Sequence, residues 1–145
     1  MKINGLAFYK MAVSAANNLD NNKIAVNNMN VFPVPDGDTG INMTLTVSTV
    51  STLGETEMTL AEYSKKIADL TLRSARGNSG AILSLFFRGM AKGFVDKEEA
   101  DATDFANALD LGTKEAYKAV MNPTEGTILT VMRTTSEEAL AHAGE

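Results

Sequence analysis

The sequence contains no cysteine and a single histidine, His142, among its 145 residues. The first absence excludes disulfides, thiol nucleophiles and cysteine-based zinc sites, and the second excludes a histidine cluster or a Ser-His-Asp arrangement. Any chemistry therefore falls to carboxylates, backbone N–H groups and a bound metal. No apolar run approaches the roughly 20 residues that a membrane-spanning helix needs. The start, Met1-Lys2-Ile3-Asn4-Gly5, does not read as a signal peptide, so the cytoplasm is the expected location. Basic charge is also scarce. Thirteen Lys and Arg stand against 18 Asp and Glu, a formal charge of −5, and no basic stripe with interleaved aromatics marks a nucleic-acid partner. With 44% hydrophobic residues, residues 1–145 suit one soluble domain large enough to bury a core.

Prolines number only three, yet Pro33 and Pro35 fall in the most informative stretch, Asn30-Val31-Phe32-Pro33-Val34-Pro35-Asp36-Gly37-Asp38-Thr39-Gly40-Ile41-Asn42-Met43. Each proline fixes its own φ, and Val34 is pushed towards extended geometry. Asp36 and Asp38 thus arrive with little freedom left to lose. Gly37 lets the backbone turn so that both carboxylates face one point, and Mg²⁺ prefers a few carboxylates together with substrate phosphates. Thr39 and Gly40 lead into an apolar helical run, whose first N–H groups and positive dipole end face the same point. An Asp-Gly-Asp-Thr-Gly string is also good turn chemistry, and a plain capped loop accounts for it as well. An EF-hand does not, because Ile41 stands where that loop needs glycine and Val47 where it needs a bidentate Glu. No Gly-x-x-x-x-Gly-Lys-Ser/Thr string occurs, so a nucleotide site here is not a P-loop.

Six segments carry helical spacing, and no alternating strand pattern, internal repeat or low-complexity linker competes with them. The expected fold class is all-α. The first segment holds Ile3, Leu6, Ala7, Tyr9, Val13 and Ala16, and a turn-rich piece over residues 17–30 extends or kinks it. The second follows the acidic loop through Met43, Val47 and Val50 and ends near Gly54. A capping-box pattern, Thr59-Leu60-Ala61-Glu62, opens the third, which continues through Tyr63, Ile67, Leu70 and Leu72 to about Ser74. The fourth is apolar almost all round at residues 81–87, is expected to be the most buried, and runs to about Phe94. The fifth spans Asp104, Phe105, Ala108, Leu109, Ala116 and Val120 and is closed by Asn122-Pro123. Thr124 caps the sixth, with Ile128, Leu129, Met132 and Leu140. Short connections favour antiparallel neighbours in an up-and-down bundle. The second, fourth and sixth helices then share a direction, and their N-termini share one end.

Those N-termini carry Asp36-Gly37-Asp38-Thr39-Gly40, Arg76-Gly77-Asn78-Ser79-Gly80 and Thr124-Glu125-Gly126-Thr127. Three glycine-bearing helix starts at one end make an anion funnel for a polyphosphate. Asp36 and Asp38 are the candidate Mg²⁺ ligands, with Asn30 on the metal side or behind it. Thr39, Gly40, Ile41 and Asn42 form the candidate phosphate-contacting turn. Asn78 and Ser79 offer an amide and a hydroxyl, and Gly126 and Thr127 repeat that arrangement. Ile128 and Leu129 either pack on a base or belong to the core, the latter being the plainer reading. Arg73, Arg76 and Arg133 are either phosphate clamps or solvated arginines, and Ser79 and Thr124 serve equally well as N-caps. Phe86, Phe87 and the methionines read as core filling. The asparagines Asn17, Asn18, Asn21, Asn22, Asn27 and Asn28 read as turn and solvent residues.

The stretch from Asn30 to Met43, Ala75-Arg76-Gly77-Asn78-Ser79-Gly80-Ala81-Ile82-Leu83-Ser84 and Pro123-Thr124-Glu125-Gly126-Thr127-Ile128-Leu129-Thr130-Val131 resemble, in order and spacing, the nucleotide-binding domain of bacterial fatty acid kinase. That domain is related to the L subunit of dihydroxyacetone kinase. The resemblance implies an antiparallel eight-helix barrel that binds ATP with two Mg²⁺ at one end. It also implies that a separate acyl-binding protein presents a fatty acid, whose carboxylate becomes an acyl phosphate. Residue by residue, it implies metal binding by Asp36 and Asp38, phosphate binding by Thr39, Gly40, Ile41, Asn42, Asn78 and Ser79, and a nucleotide-side turn at Gly126, Thr127 and Ile128. The dihydroxyacetone kinase relatives carry a further metal-binding Asp where this chain has Asn30 and Val31, which favours the fatty acid kinase branch. Six helices against eight imply an incomplete barrel, cut short on its C-terminal side and inactive by itself. The competing readings are a dihydroxyacetone-type kinase and a non-catalytic nucleotide-binding regulator.

Overall fold

The computed structural model describes residues 1–30 and 36–145. The expectations placed on Val31, Pro33, Val34 and Pro35 lie outside the described residues. The described chain is an all-α bundle of seven helices: α1 (Gly5–Asn21), α2 (Lys23–Asn28), α3 (Thr39–Val47), α4 (Leu60–Ser74), α5 (Gly77–Gly93), α6 (Ala102–Lys118) and α7 (Ile128–His142). A 3-10 segment, Ser48–Leu53, continues α3 and stops at Gly54, whose φ of +71° suits glycine.

Local sequence sets most of the ends. The Asn4 side chain accepts the Ala7 N–H at 2.8 Å to start α1, and Thr59 accepts the Glu62 N–H at 3.1 Å to start α4. Asp101 and Asp104 close a reciprocal capping box at α6, with bonds of 2.8 and 3.2 Å. The turn-rich piece after α1 is a separate helix, because Asn22 folds its side chain back onto the Asn18 carbonyl at 2.8 Å and breaks the run. Three expectations need correction. α7 is capped by Thr127, which accepts the Leu129 N–H, and not by Thr124, whose hydroxyl donates to the Asn122 carbonyl. A strand pair does exist: Ile3–Asn4 (β1) and Glu99–Ala100 (β2) pair antiparallel, and two residues a side are too few to show alternation. Nor is α5 the most buried helix. Ile82, Leu83, Leu85, Phe86 and Phe87 are only half-buried and Ala81 is exposed, with Ala81, Ile82 and Leu85 bordering an open cleft.

The main core lies instead between α1, α4 and the far end of α5. Leu60, Tyr63, Ile67 and Phe94 are fully buried there. Tyr9 stacks on Tyr63 with centroids 5.1 Å apart, and the two hydroxyls donate to the Ser51 and Gly54 carbonyls. A second cluster, Ala116, Leu129 and Met132, joins α6 to α7.

Helix directions follow from which residues meet. Asn42 lies beside Gly77 and Thr46 beside Gly80, so α3 and α5 run the same way. Gly89 meets Gly112 and Gly93 meets Ala108, so α6 runs against α5. The Thr113 hydroxyl donates to the Met132 carbonyl at 3.1 Å, while Tyr117, a turn further along α6, donates to Glu125 just before α7. α7 is therefore antiparallel to α6 and parallel to α3 and α5. The three N-termini share one end of the bundle, as the loop lengths imply. A Cβ on Gly89 would fall 2.5 Å from the Gly112 Cα. Gly89→Ala is expected to cost a net ~1–2 kcal/mol, overpacking outweighing its gain in helix propensity, read as a lower urea midpoint at unchanged slope.

Candidate functional site

At that shared end lies a cleft of about 780 Å³. Its apolar lining comes from Val26 of α2 and Met29 just after it, Met43 from α3, Ile82 and Leu85 from α5, and Ile128 and Val131 from α7. Its polar lining comes from Asn30, Thr39, Asn78, Ser79, Asn122, Thr124, Gly126 and Thr127. Among the described lining residues none is ionisable. Apolar walls with a few convergent polar groups are the usual make-up of a small-molecule site.

Of the twelve candidate ligands, seven line the cleft: Asn30, Thr39, Asn78, Ser79, Gly126, Thr127 and Ile128. Asp36, Asp38, Gly40, Ile41 and Asn42 are not among its lining residues. Gly40 is buried against α2, the Ile41 N–H donates to Asn27 Oδ1 at 3.1 Å, and the Asn42 side chain packs on Gly77. Neither α3 nor α5 is capped by the side chain before it. The Ile41 N–H of α3 is taken by Asn27, and the positive dipole ends of both helices stay available to an anion.

Asp36 and Asp38 stand immediately before α3. Asp38 takes the N-cap position without capping the helix, and its N–H donates to Asn30 Oδ1 at 3.2 Å. The two carboxylates are close enough to share a proton. The Asp36 pKa is raised from its ordinary value, first by the side-chain hydrogen bond with Asp38, then by desolvation and by the Asp38 charge. A cation between them would relieve that repulsion. Among the described residues no group of three or more acidic, His or Cys side chains gathers as a ready metal cage. Two carboxylates beside helix N-termini instead suit Mg²⁺, which keeps waters and takes phosphate oxygens.

The candidate arginines stand elsewhere. Arg73, Arg76 and Arg133 are absent from the cleft wall. Arg76 gives its backbone N–H to Thr46 Oγ1 at 3.1 Å, and Arg133 pairs with Glu125 at 3.0 Å and Glu137 at 3.4 Å. Glu125 also accepts from Thr130 and Tyr117. These donors, Thr130 first and Arg133 next, hold the Glu125 carboxyl below its ordinary value of 4.5. The network anchors the turn that carries Gly126 and Thr127.

Not all methionines fill the core. Met90 and Met132 do, but Met29, Met43 and Met121 line the cleft, and Met121 is 96% exposed. Asn27, read as a solvent residue, is buried. Sequence spacing alone carried one usable signal for these. Val26 and Met29 sit three apart on a short helix and share a face.

Residues 33–145 match the family model of the DAK2 domain. The chain belongs to the DAK2 domain family. The match bears out the dihydroxyacetone kinase L-like part of the resemblance, and the family is kinase-related. This DAK2 domain is similar to uncharacterized proteins of Staphylococcus haemolyticus (44% identical over 146 residues), Staphylococcus epidermidis (42% over 146) and Staphylococcus aureus (43% over 144). The alignments cover 98–99% of the chain but 26% of each relative. The DAK2 domain chain thus spans about a quarter of the length of the curated relatives it matches. No described helix is long and apolar enough to cross a membrane.

The lowered Glu125 pKa sets the sign of a pH effect. A carboxyl whose pKa is lower folded than unfolded stabilises above its unfolded value, and that contribution is lost as pH falls through the folded one. The thermal midpoint of the wild type is expected to exceed that of Glu125→Gln at pH 6–7, with the gap closing as the pH falls below the ordinary carboxyl value of 4.5. Thermal scans of both proteins across pH 3–7 read it.

Proposed function

We propose that this chain is the ATP- and Mg²⁺-binding domain of a phosphotransferase whose acceptor is a fatty acid carboxylate presented by a separate acyl-binding protein. One observation carries the reading. Thr39 at the start of α3 and Asn78 and Ser79 at the start of α5 border a single, largely apolar cleft, and the carboxylate pair Asp36 and Asp38, not itself among the lining residues, immediately precedes α3.

Each part has a task under this reading. Asp36 and Asp38 hold the cation, with Asn30 beside them. Thr39, Asn78, Ser79 and the Gly126-Thr127 turn meet the phosphates through hydroxyl, amide and backbone N–H groups. Ile82, Leu85, Ile128 and Val131 offer a surface for the base. Bound Mg²⁺ supplies neutralisation of charge on the transferring phosphoryl group. The chain's own contribution is to orient the nucleotide and to keep its terminal phosphate near the helix N-termini.

What the described walls lack supports this acceptor class. No ionisable side chain lines the described cleft, so no general base stands ready to take a proton from an attacking hydroxyl. A carboxylate attacks without losing one. That favours a fatty acid over dihydroxyacetone, whose hydroxyl would need a base from elsewhere. Phosphate transfer to a carrier-bound fatty acid, and not to dihydroxyacetone, is the outcome expected of the intact protein in a paired acceptor assay.

Binding is the direct test. Calorimetric titration of Mg·ATP into the wild type is expected to give a single site. Asp36→Ala and Asp38→Ala are each expected to weaken it by more than the ~10-fold that loss of an outer-sphere partner causes. Equal heats from all three proteins would refute the assignment.

A further inference from the structure

Asn27 lies near the end of α2 and is only 9% exposed. Its Oδ1 accepts the Ile41 N–H at 3.1 Å, a first-turn donor of α3 that lacks an intrahelical partner. Three residues on, Asn30 Oδ1 accepts the Asp38 N–H at 3.2 Å. The two amides thus grip the chain on either side of Thr39 and Gly40. A third contact fixes the distance between the helices. Gly40 rests so close to α2 that a Cβ there would lie 2.1 Å from the Lys23 carbonyl oxygen. The start of α3 is held at three points, Gly40 and Ile41 by α2 and Asp38 by Asn30 just beyond it.

We propose that Asn27 is the positioning residue of the acidic loop, fixing the first turn of α3 against α2 and thereby setting where the Asp36 and Asp38 carboxylates stand for a divalent cation. The inference rests on the Mg·ATP reading of this site. A short acceptor side chain suits the position. It satisfies an N–H that would otherwise lack a partner. Asn27 itself is no part of the cleft wall, so its effect on a ligand must pass through α3.

The test separates positioning from stability in general. ATP is titrated into the wild type, Asn27→Ala, Asn27→Asp and Val50→Ala, with Mg²⁺ and with chelator. Val50 is 1% exposed in the core away from the cleft and serves as a destabilised control. Hydrogen exchange of the Ile41 amide is followed in the ligand-free proteins. Asn27→Ala is expected to lose Ile41 protection and roughly 10-fold or more of the Mg²⁺-dependent gain in affinity, while its affinity for metal-free ATP is unchanged. Asn27→Asp, which keeps the acceptor oxygen, is expected to retain both. Val50→Ala is expected to lower the thermal midpoint and keep the gain. The inference is overturned if Asn27→Ala keeps the wild-type gain, if Val50→Ala loses as much of it, or if Asn27→Asp behaves as the alanine variant. A wild type with no Mg²⁺-dependent gain refutes the site reading as well, and so differs from a failure of Asn27 alone.

Discussion

The glycines of α5 bring it against the side chains of one neighbour and the backbone of another, and the rest of the arrangement depends on it. Near its start, Gly77 and Gly80 face Asn42 and Thr46 of α3. Towards its end, Gly89 and Gly93 face Gly112 and Ala108 of α6. Glycine inside a helix costs up to about 1 kcal/mol against alanine, and Gly80 and Gly89 are interior to α5. Close packing offsets it, because larger residues at either seam would hold the helices apart. Once α5 fixes α3 parallel and α6 antiparallel, Thr113 and the Ala116 cluster fix α7 against α6. The convergence of three N-termini is thus a consequence of two small-residue seams.

Much of this was legible in the sequence, for reasons that differ residue by residue. Thr59 was readable as a cap because the bond it makes is local, reaching three residues ahead. Thr124 and Thr127 are equally good capping residues on paper. The choice between them depends on the Glu125 carboxylate, held by Tyr117 and Arg133 from two different helices, which no local pattern records. An apolar segment such as residues 81–87 announces a wish for burial but not whether a neighbour exists on every side. Here one side borders the cleft. Asn27 was hidden for a similar reason: its burial depends on Gly40, thirteen residues later, letting α2 come within contact of α3. Seven of the candidate ligands gather at one cleft because helix direction follows from short connections. Gly40, Ile41 and Asn42 lie instead against α2 and α5.

Electrostatics divides the end of the bundle into two kinds of carboxylate. Glu125 is surrounded by donors, and its pKa is lowered by the hydroxyl of Thr130 and the guanidinium of Arg133. Its charge is satisfied within the chain. Asp36 is opposed by Asp38, and its pKa is raised. The positive groups that would quiet it are not on the cleft wall, where no Lys or Arg appears among the described residues. A polyphosphate entering the cleft would meet helix N–H groups but also two nearby negative charges. Dipole ends contribute only about half a charge each. An anion and a carboxylate pair become compatible when a divalent cation stands between them.

The apolar lining adds a constraint of its own. Met29, Met121 and Val131 all line the cleft and are largely exposed. Exposed apolar surface of this kind costs solvation free energy unless something covers it. Thioether side chains adapt to flat aromatic surfaces and gain from contact with them. A nucleotide combines the same two characters as the lining, a flat base that suits apolar side chains and charged phosphates that suit polar ones. Under the proposed reading, the reaction then needs no proton moved within the cleft, since a carboxylate acceptor arrives already ionised. Its obstacle is the repulsion between that carboxylate and the terminal phosphate. The polar end of the site answers that obstacle with a cation seat and two helix dipoles, and its neutral walls add no further negative charge.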